Sequence, residues 1–352
     1  MTIRNAFVIL CLFVSFYQAA SQGSIDAVKI KGTPVDIYVP PSYDNSKEYP
    51  VVYFNDGQML FGHPTITIAL QDILDSLIDN RLIVETIVVG VFADELRAER
   101  YVPYQNDQFE RMPNGDSYAE DYVNFLIDDV VAYVDENYST VSKPEGRAIF
   151  GFSFGGLNAL WMLLNRPETF SMAAGISASM WVEDFALYEE TKKYKPNQKI
   201  WFDIGTAEWN YYVPFQRLLK EQGASINTNA YYFEVKDAVH TWEDVRQRVH
   251  MPLMVFAGAK SHIPSKMNVE IEIIPSKSNA QKRFTRLNPV ITCKDGLKYS
   301  LAYEANYEVT NPSAGKVYED GRFELYGGEN LEVIVTYLDF SKKVKIRSKL
   351  LN

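Results

Sequence analysis

The chain has 352 residues, more than one hydrophobic core usually organises, so its length predicts one large domain with a smaller companion. An apolar content of 47% with 14% aromatics is ample for folded cores. The formal net charge of −10 excludes a general basic surface for nucleic acid.

At the N-terminus Arg4 precedes an apolar run over residues 6–16, followed by Tyr17-Gln18-Ala19-Ala20-Ser21-Gln22. A charged start, a short apolar stretch and small residues before a cut predict a cleaved export signal over residues 1–22. The run is too short for a comfortable membrane span, so no stable membrane insertion is expected and the product is secreted or periplasmic. Cleavage leaves Cys293 as the remaining cysteine of two, so no intramolecular disulfide is expected; Cys293 reads as a small buried hydrophobe in a strand. No zinc-ligand cluster or phosphate-binding glycine loop occurs, and neither metal nor cofactor is predicted.

From residue 28 onward strands and helices alternate. Short β-branched or aromatic runs at 35–39 and 51–54 read as strands, and the continuous apolar run 86–91 as a strand buried on both faces. Residues 118–138 have helical spacing, with Tyr122, Leu126, Val130 and Val134 on one side. Strands follow at 148–150, 172–176, 199–204 and 229–235, with a helix at 214–222 ending at Gly223. Strands separated by helix-length segments imply a mainly parallel sheet. Beyond about 258 the pattern changes to strand-like runs at 269–274, 289–293, 297–303, 322–325, 331–337 and 344–347, with turns at Asp295-Gly296 and Asp320-Gly321. Residues 23–260 are therefore expected to form a catalytic α/β domain, and residues 261–352 a small all-β, sandwich-like domain. A structural cap is favoured for the latter over a sugar-binding module.

Gly151-Phe152-Ser153-Phe154-Gly155 sits between an apolar strand run and a helix-like stretch. A serine between two glycines at such a junction is the pattern of a nucleophile elbow, whose sharp turn projects the hydroxyl from the sheet. It predicts an α/β-hydrolase fold and nucleophilic catalysis by Ser153. A serine hydroxyl needs a base, and histidine suits neutral pH. Of His63, His240, His250 and His262, His240 lies after the last large strand, where the base of this fold belongs. The acid should follow strand 199–204. Glu208, on the loop and with the longer reach, is favoured; Asp203 remains the alternative acid or a group that fixes the loop, and Asp237 reads first as a turn residue. Two backbone N–H groups should bind the oxyanion, that of Phe154 and that of Gln58 in the loop Asn55-Asp56-Gly57-Gln58.

These motifs carry a resemblance. Tyr49 to Gln58, Arg97 with Val102-Pro103, Arg147 to Gly156, Asp203 to Glu208 and His240-Thr241-Trp242, in that order, resemble the esterase D-type α/β hydrolases, which include enterochelin and feruloyl esterases. The resemblance covers about residues 28–258 and implies a triad of Ser153, Glu208 and His240. Glutamate stands where aspartate is common in that family, which keeps Asp203 open. Trp181, Trp209, Tyr212 and Trp242 fall on loops around Ser153 and suit an aromatic acyl group or a sugar ring, or equally the packing that holds those loops in place; Arg97 reads as a contact for an anionic group, as a residue that orients loops, or as an ordinary surface partner. The expected partner is a small-molecule or glycan-linked ester. The leading expectation is an exported serine esterase for a carbohydrate-linked or aromatic acyl ester. Alternatives are a siderophore esterase, an acyltransferase to a sugar or lipid hydroxyl, and a glycan-binding scaffold.

Overall fold

The computed structural model describes residues 22–347 apart from residues 64, 105–116, 209–211 and 277–278. The predicted export signal, but for Gln22, lies outside the described residues, as does Trp209. Among the described residues no helix is long and apolar enough to cross a membrane.

Chain order in the first part is β1 (Ser24–Ile30), β2 (Thr33–Val39), β3 (Val51–Asn55), α1 (Leu70–Asp79), β4 (Ile87–Val91) and α2 (Arg97–Tyr101). A helical stretch follows as α3 (Ala119–Asn124), a π-helical segment (Phe125–Val131) and α4 (Ala132–Asn137). Then come β5 (Arg147–Phe152), α5 (Phe154–Asn165), β6 (Met172–Ile176), α6 (Leu187–Glu190), β7 (Lys199–Gly205), α7 (Val213–Glu221), β8 (Ala230–Val235), α8 (Trp242–Arg248) and α9 (His250–Ala257). Eight strands form one sheet in the order β1-β2-β4-β3-β5-β6-β7-β8. Pairing is antiparallel at β1/β2 and β2/β4 and parallel from β4 to β8. Every residue of β3, β4, β5 and β6 is buried, as apolar strands covered by helices on both faces require. This mainly parallel sheet with its helices is the α/β-hydrolase fold. The sequence reading does not anticipate α1, although Leu70, Leu74 and Leu77 bury one helical stripe.

The remainder is all β: β9 (Pro264–Ser276), β10 (Asn279–Cys293), β11 (Lys298–Ser300), β12 (Asn306–Val309), β13 (Gly315–Val317), β14 (Arg322–Leu325), β15 (Leu331–Tyr337) and β16 (Phe340–Ile346). They make two antiparallel sheets, β11-β10-β14-β13 with β9 on β10, and β12-β15-β16. The strand expected at 297–303 stops at Ser300, because the chain turns at Ala302 with φ 37° and enters a 3-10 turn over Ala302–Glu304. Strands β12 and β13 are additions to the sequence reading. Cys293 is buried in β10, and burial pushes its thiol up to about 12.

The two parts meet at β8, the edge strand of the large sheet. The Glu234 N–H donates to Ser300 Oγ of β11 at 3.0 Å. The Glu234 carboxylate pairs with Arg286 of β10, which also reaches Glu272 of β9 at 3.2 Å. Tyr232 and Asn288 donate to the two carboxylates. Glu234, Arg286 and Glu272 are all buried, so their charges depend on each other rather than on water. Arg286→Met should therefore leave two buried carboxylates without their shared cation and lower stability by about 3–5 kcal/mol, read by denaturant unfolding. A loss under about 1 kcal/mol would show that the seam is held by apolar packing instead.

Candidate active site

Ser153 occupies the single residue between β5 and α5, with φ 60° and ψ −122°. That backbone region is strained for a residue with a side chain. The turn is that tight because the strand and the helix touch: a Cβ added to Gly151 would lie 2.2 Å from the Gly155 carbonyl oxygen. The Ser153 N–H donates to the Ile176 carbonyl at 3.1 Å, and the Ser153 carbonyl accepts from Ser179 at 3.0 Å. The elbow is thus stitched to the loop after β6. Phe154 is the first residue of α5, where backbone N–H groups point out of the helix toward negative charge.

His240 lies beyond β8, before α8, and its Nε2 is 2.9 Å from Ser153 Oγ. Its Nδ1 is 2.7 Å from Glu208 Oε2, just beyond β7. Because a carboxylate only accepts, Nδ1 carries the proton and Nε2 accepts from the serine hydroxyl. The other Glu208 oxygen, Oε1, accepts from the Gly205 N–H at 2.8 Å and from Ser177 Oγ at 2.5 Å. Glu208 is buried on its side chain, while His240 is half-exposed. Asp203, the other carboxylate, does not touch His240. It is fully buried in β7 and accepts from Trp201 Nε1 at 2.7 Å, from the Ser177 N–H at 3.1 Å and from Arg248 Nε at 2.9 Å. Burial pushes the Asp203 carboxyl up, while the Arg248 guanidinium and these N–H groups pull it back. Ser179 Oγ lies 3.3 Å from Ser153 Oγ; with the Ser153 proton turned to His240, Ser179 is the donor.

The loop after β3 approaches the elbow from the other side. Asp56 has φ 64° and is buried, and its carboxylate is gripped by Arg97 through Nε at 2.5 Å and a second nitrogen at 2.7 Å. A Cβ on Gly57 would meet the Gly90 backbone at 2.3 Å, so glycine lets the loop lie on β4. The Gln58 side chain accepts from the Ala93 N–H at 3.0 Å. Asn55 bridges the Gly155 carbonyl at 2.9 Å and the Tyr122 hydroxyl at 2.6 Å.

Several expected substrate contacts have other occupations. Arg97 is committed to Asp56, with its guanidinium 5.9 Å from the Phe154 ring centre, so it fixes the loop rather than waiting for an anion. Tyr212 is fully buried and donates to the Ala178 carbonyl at 2.6 Å, which removes it from the substrate wall. Trp242 packs edge-on against Phe152 at 4.8 Å, and Phe152 lies 4.5 Å from the His240 ring, so Trp242 backs the histidine. Trp181 is half-buried 6.3 Å from Phe154, on the serine side. The other histidines lie elsewhere: His63 bonds Thr65 in an exposed loop, His250 opens α9, and His262 pairs with Asp295 at 2.6 Å. Sequence reasoning missed Arg248, Ser177 and Ser179. The hydroxyls of the Ser177-Ala178-Ser179 stretch, just past a strand end, were the available signal for two of them.

A family model described as "Putative esterase" matches residues 31–251. The chain belongs to this esterase family. Its reaction class is carboxylic-ester hydrolysis. The esterase is 26% identical over 199 residues to the uncharacterized protein YbbA of Bacillus subtilis, covering 56% of this chain and 77% of that one. It is 25% identical over 152 residues to the ferri-bacillibactin esterase BesA of the same organism, covering 40% of this chain and 51% of that one. A ferulic acid esterase from Anaeromyces mucronatus shares the fold with a TM-score of 0.52 at 18% identity, over 69% of this chain and 92% of that one.

Arg97→Met should leave the buried Asp56 carboxylate unpaired and lower stability by about 1–3 kcal/mol in thermal or denaturant unfolding. Asp56→Asn in the same background should recover part of the loss, since a neutral amide tolerates burial better.

Proposed function

We propose that this chain is an exported serine esterase in which Ser153 is the nucleophile, His240 the general base and Glu208 the acid of the triad. One observation carries the reading: an unbroken line of hydrogen bonds, 2.9 Å and then 2.7 Å, from a serine on a strained strand–helix turn through a half-exposed imidazole to a buried carboxylate. His240 takes the Ser153 proton as Oγ attacks the ester carbonyl carbon. The resulting oxyanion is held by the N–H groups of Phe154 and Gln58, one at a helix start and one in the loop that Arg97 and Asp56 fix. The imidazolium, stabilised by Glu208, then returns its proton to the departing alcohol. A water deprotonated by His240 attacks the acyl-enzyme carbonyl; its bond to Ser153 Oγ breaks, His240 returns the proton to Oγ, and the carboxylic acid leaves.

Substrate class follows from the wall beside the serine. Phe154 and Trp181 are both half-buried there, and a planar aromatic acyl group or a sugar ring would lie against them. A carbohydrate-linked or aromatic acyl ester is the substrate class proposed. The second reading, a siderophore ester, draws on the similarity to a ferri-bacillibactin esterase. Export rests on residues 1–22 of the sequence.

Ser153→Ala should lower kcat by about 10⁶-fold with the unfolding transition unchanged. Wild type should turn over methyl ferulate or acetylated sugars in preference to a catecholate siderophore; the reverse order selects the second reading. Full turnover by the alanine variant would discard the triad.

A further inference from the structure

We propose that Arg248 is a positioning residue for this relay: it aims Glu208 at His240 through Ser177 and, balanced by Asp203, sets the pH at which His240 can accept the serine proton. The proposal rests on the Ser153–His240–Glu208 reading. Arg248 closes α8, the helix that starts just after the histidine, and one helix therefore carries the chain from the base to the far side of its carboxylate. The side chain is buried, so its charge has to be matched by its neighbours, here through Nε and one terminal nitrogen, while the other terminal nitrogen has no hydrogen-bond partner among the described residues. Its Nε donates to Asp203 at 2.9 Å, and a terminal nitrogen donates to Ser177 Oγ at 2.5 Å and sits 3.7 Å from Glu208 Oε1.

The direction of each proton follows from the donors. Arginine has no acceptor, so Ser177 Oγ must accept from it, and the Ser177 proton is left for Glu208 Oε1 at 2.5 Å. The Ser177 N–H meanwhile donates to Asp203 at 3.1 Å. One serine thus ties both carboxylates to one guanidinium. Glu208 Oε1 is held from two sides, by Ser177 and by Gly205, and only Oε2 is left to face the imidazole.

The charges have a consequence for the proton transfer. Asp203, Glu208 and Arg248 together carry one net negative charge, and a proton on His240 brings the four groups to neutrality. The other titratable groups around them are Asp244, which accepts from Thr241 and from the Val239 N–H on the histidine loop, the exposed Asp237 on that same loop, and Tyr212, whose phenol burial keeps protonated. Removing the charge of Asp203 would leave Glu208 alone to offset both Arg248 and the imidazolium, one net positive charge. Removing both charges would restore the balance, although it destroys more of the structure.

The test is the acid limb of the kcat/KM profile of the full chain, against a nitrophenyl ester. Asp203→Asn should move the limb to lower pH by about half a unit or more, and the double variant Asp203→Asn with Arg248→Gln should bring it back toward wild type. Arg248→Lys keeps the charge and loses the two-pronged grip, so kcat should fall about tenfold with the limb in place. An unmoved limb in Asp203→Asn, no return in the double variant, or wild-type kcat in Arg248→Lys would each overturn the proposal. If the asparagine variant does not fold, the lysine variant still decides. Ser153→Ala separates the two readings. An active alanine variant takes down the relay and this proposal together, whereas an inactive one with an unmoved limb removes only the role of Arg248.

Discussion

The site depends on how closely the backbone of β5 approaches the first turn of α5. With no Cβ at Gly151, the strand lies against the Gly155 carbonyl, and the chain reverses through one residue. That residue is forced to positive φ, which turns its hydroxyl away from the sheet and sets the helix N-terminus beside it. Because β5 lies between β3 and β6, the ends of both neighbours flank the elbow, one with the Asn55–Gln58 loop and the other with Ser177 and Ser179. The next strands outward, β7 and β8, deliver Glu208 and His240. Strand order and one steric contact thus bring these groups to one end of the sheet.

What could be read from the sequence follows the range of each cause. The elbow is local: two glycines, a serine and the change from strand to helix lie within a few residues. The α/β pattern was legible for the same reason, since β3 to β6 are continuous apolar runs and β6 was delimited to the residue at both ends. The choice between Asp203 and Glu208 was legible only as a preference for Glu208, because the two lie five residues apart around one strand end and which partner each meets is set by distant residues. Asp203 meets Arg248, Trp201 and Ser177 instead of the imidazole. Arg248 lies among charged residues, and nothing local in the sequence marks it out; only its long-range partners do. Tyr212 was read as a pocket aromatic and Arg97 as an anion contact or a loop-orienting group from their loop positions; a carbonyl and a buried aspartate take them up. Short strands such as β12 and β13 carry too few residues to show a period.

The family match ends at residue 251, so the β9 to β16 region lies beyond it. This region is nevertheless joined to the hydrolase sheet by buried polar groups rather than by a surface contact alone. Glu234, Arg286, Glu272 and Ser300 each satisfy a partner from another strand, and His262 with Asp295 ties the connecting segment to the turn before β11. Lys220 with Glu304 adds an ion pair from α7 at the same side.

The position of β8 gives that seam a wider meaning. An outermost strand ordinarily offers a row of unmatched backbone groups, which makes it a template for association with another molecule. Here the strand that leads into the histidine loop is also the sheet's last, and its outer side meets β11 within the same polypeptide. A chain shortened to the hydrolase half would present this strand to its neighbours, with the carboxylate of Glu234 stripped of its arginine. The companion sheets therefore cover part of one edge, and removing them would be expected to cost solubility before it cost catalysis.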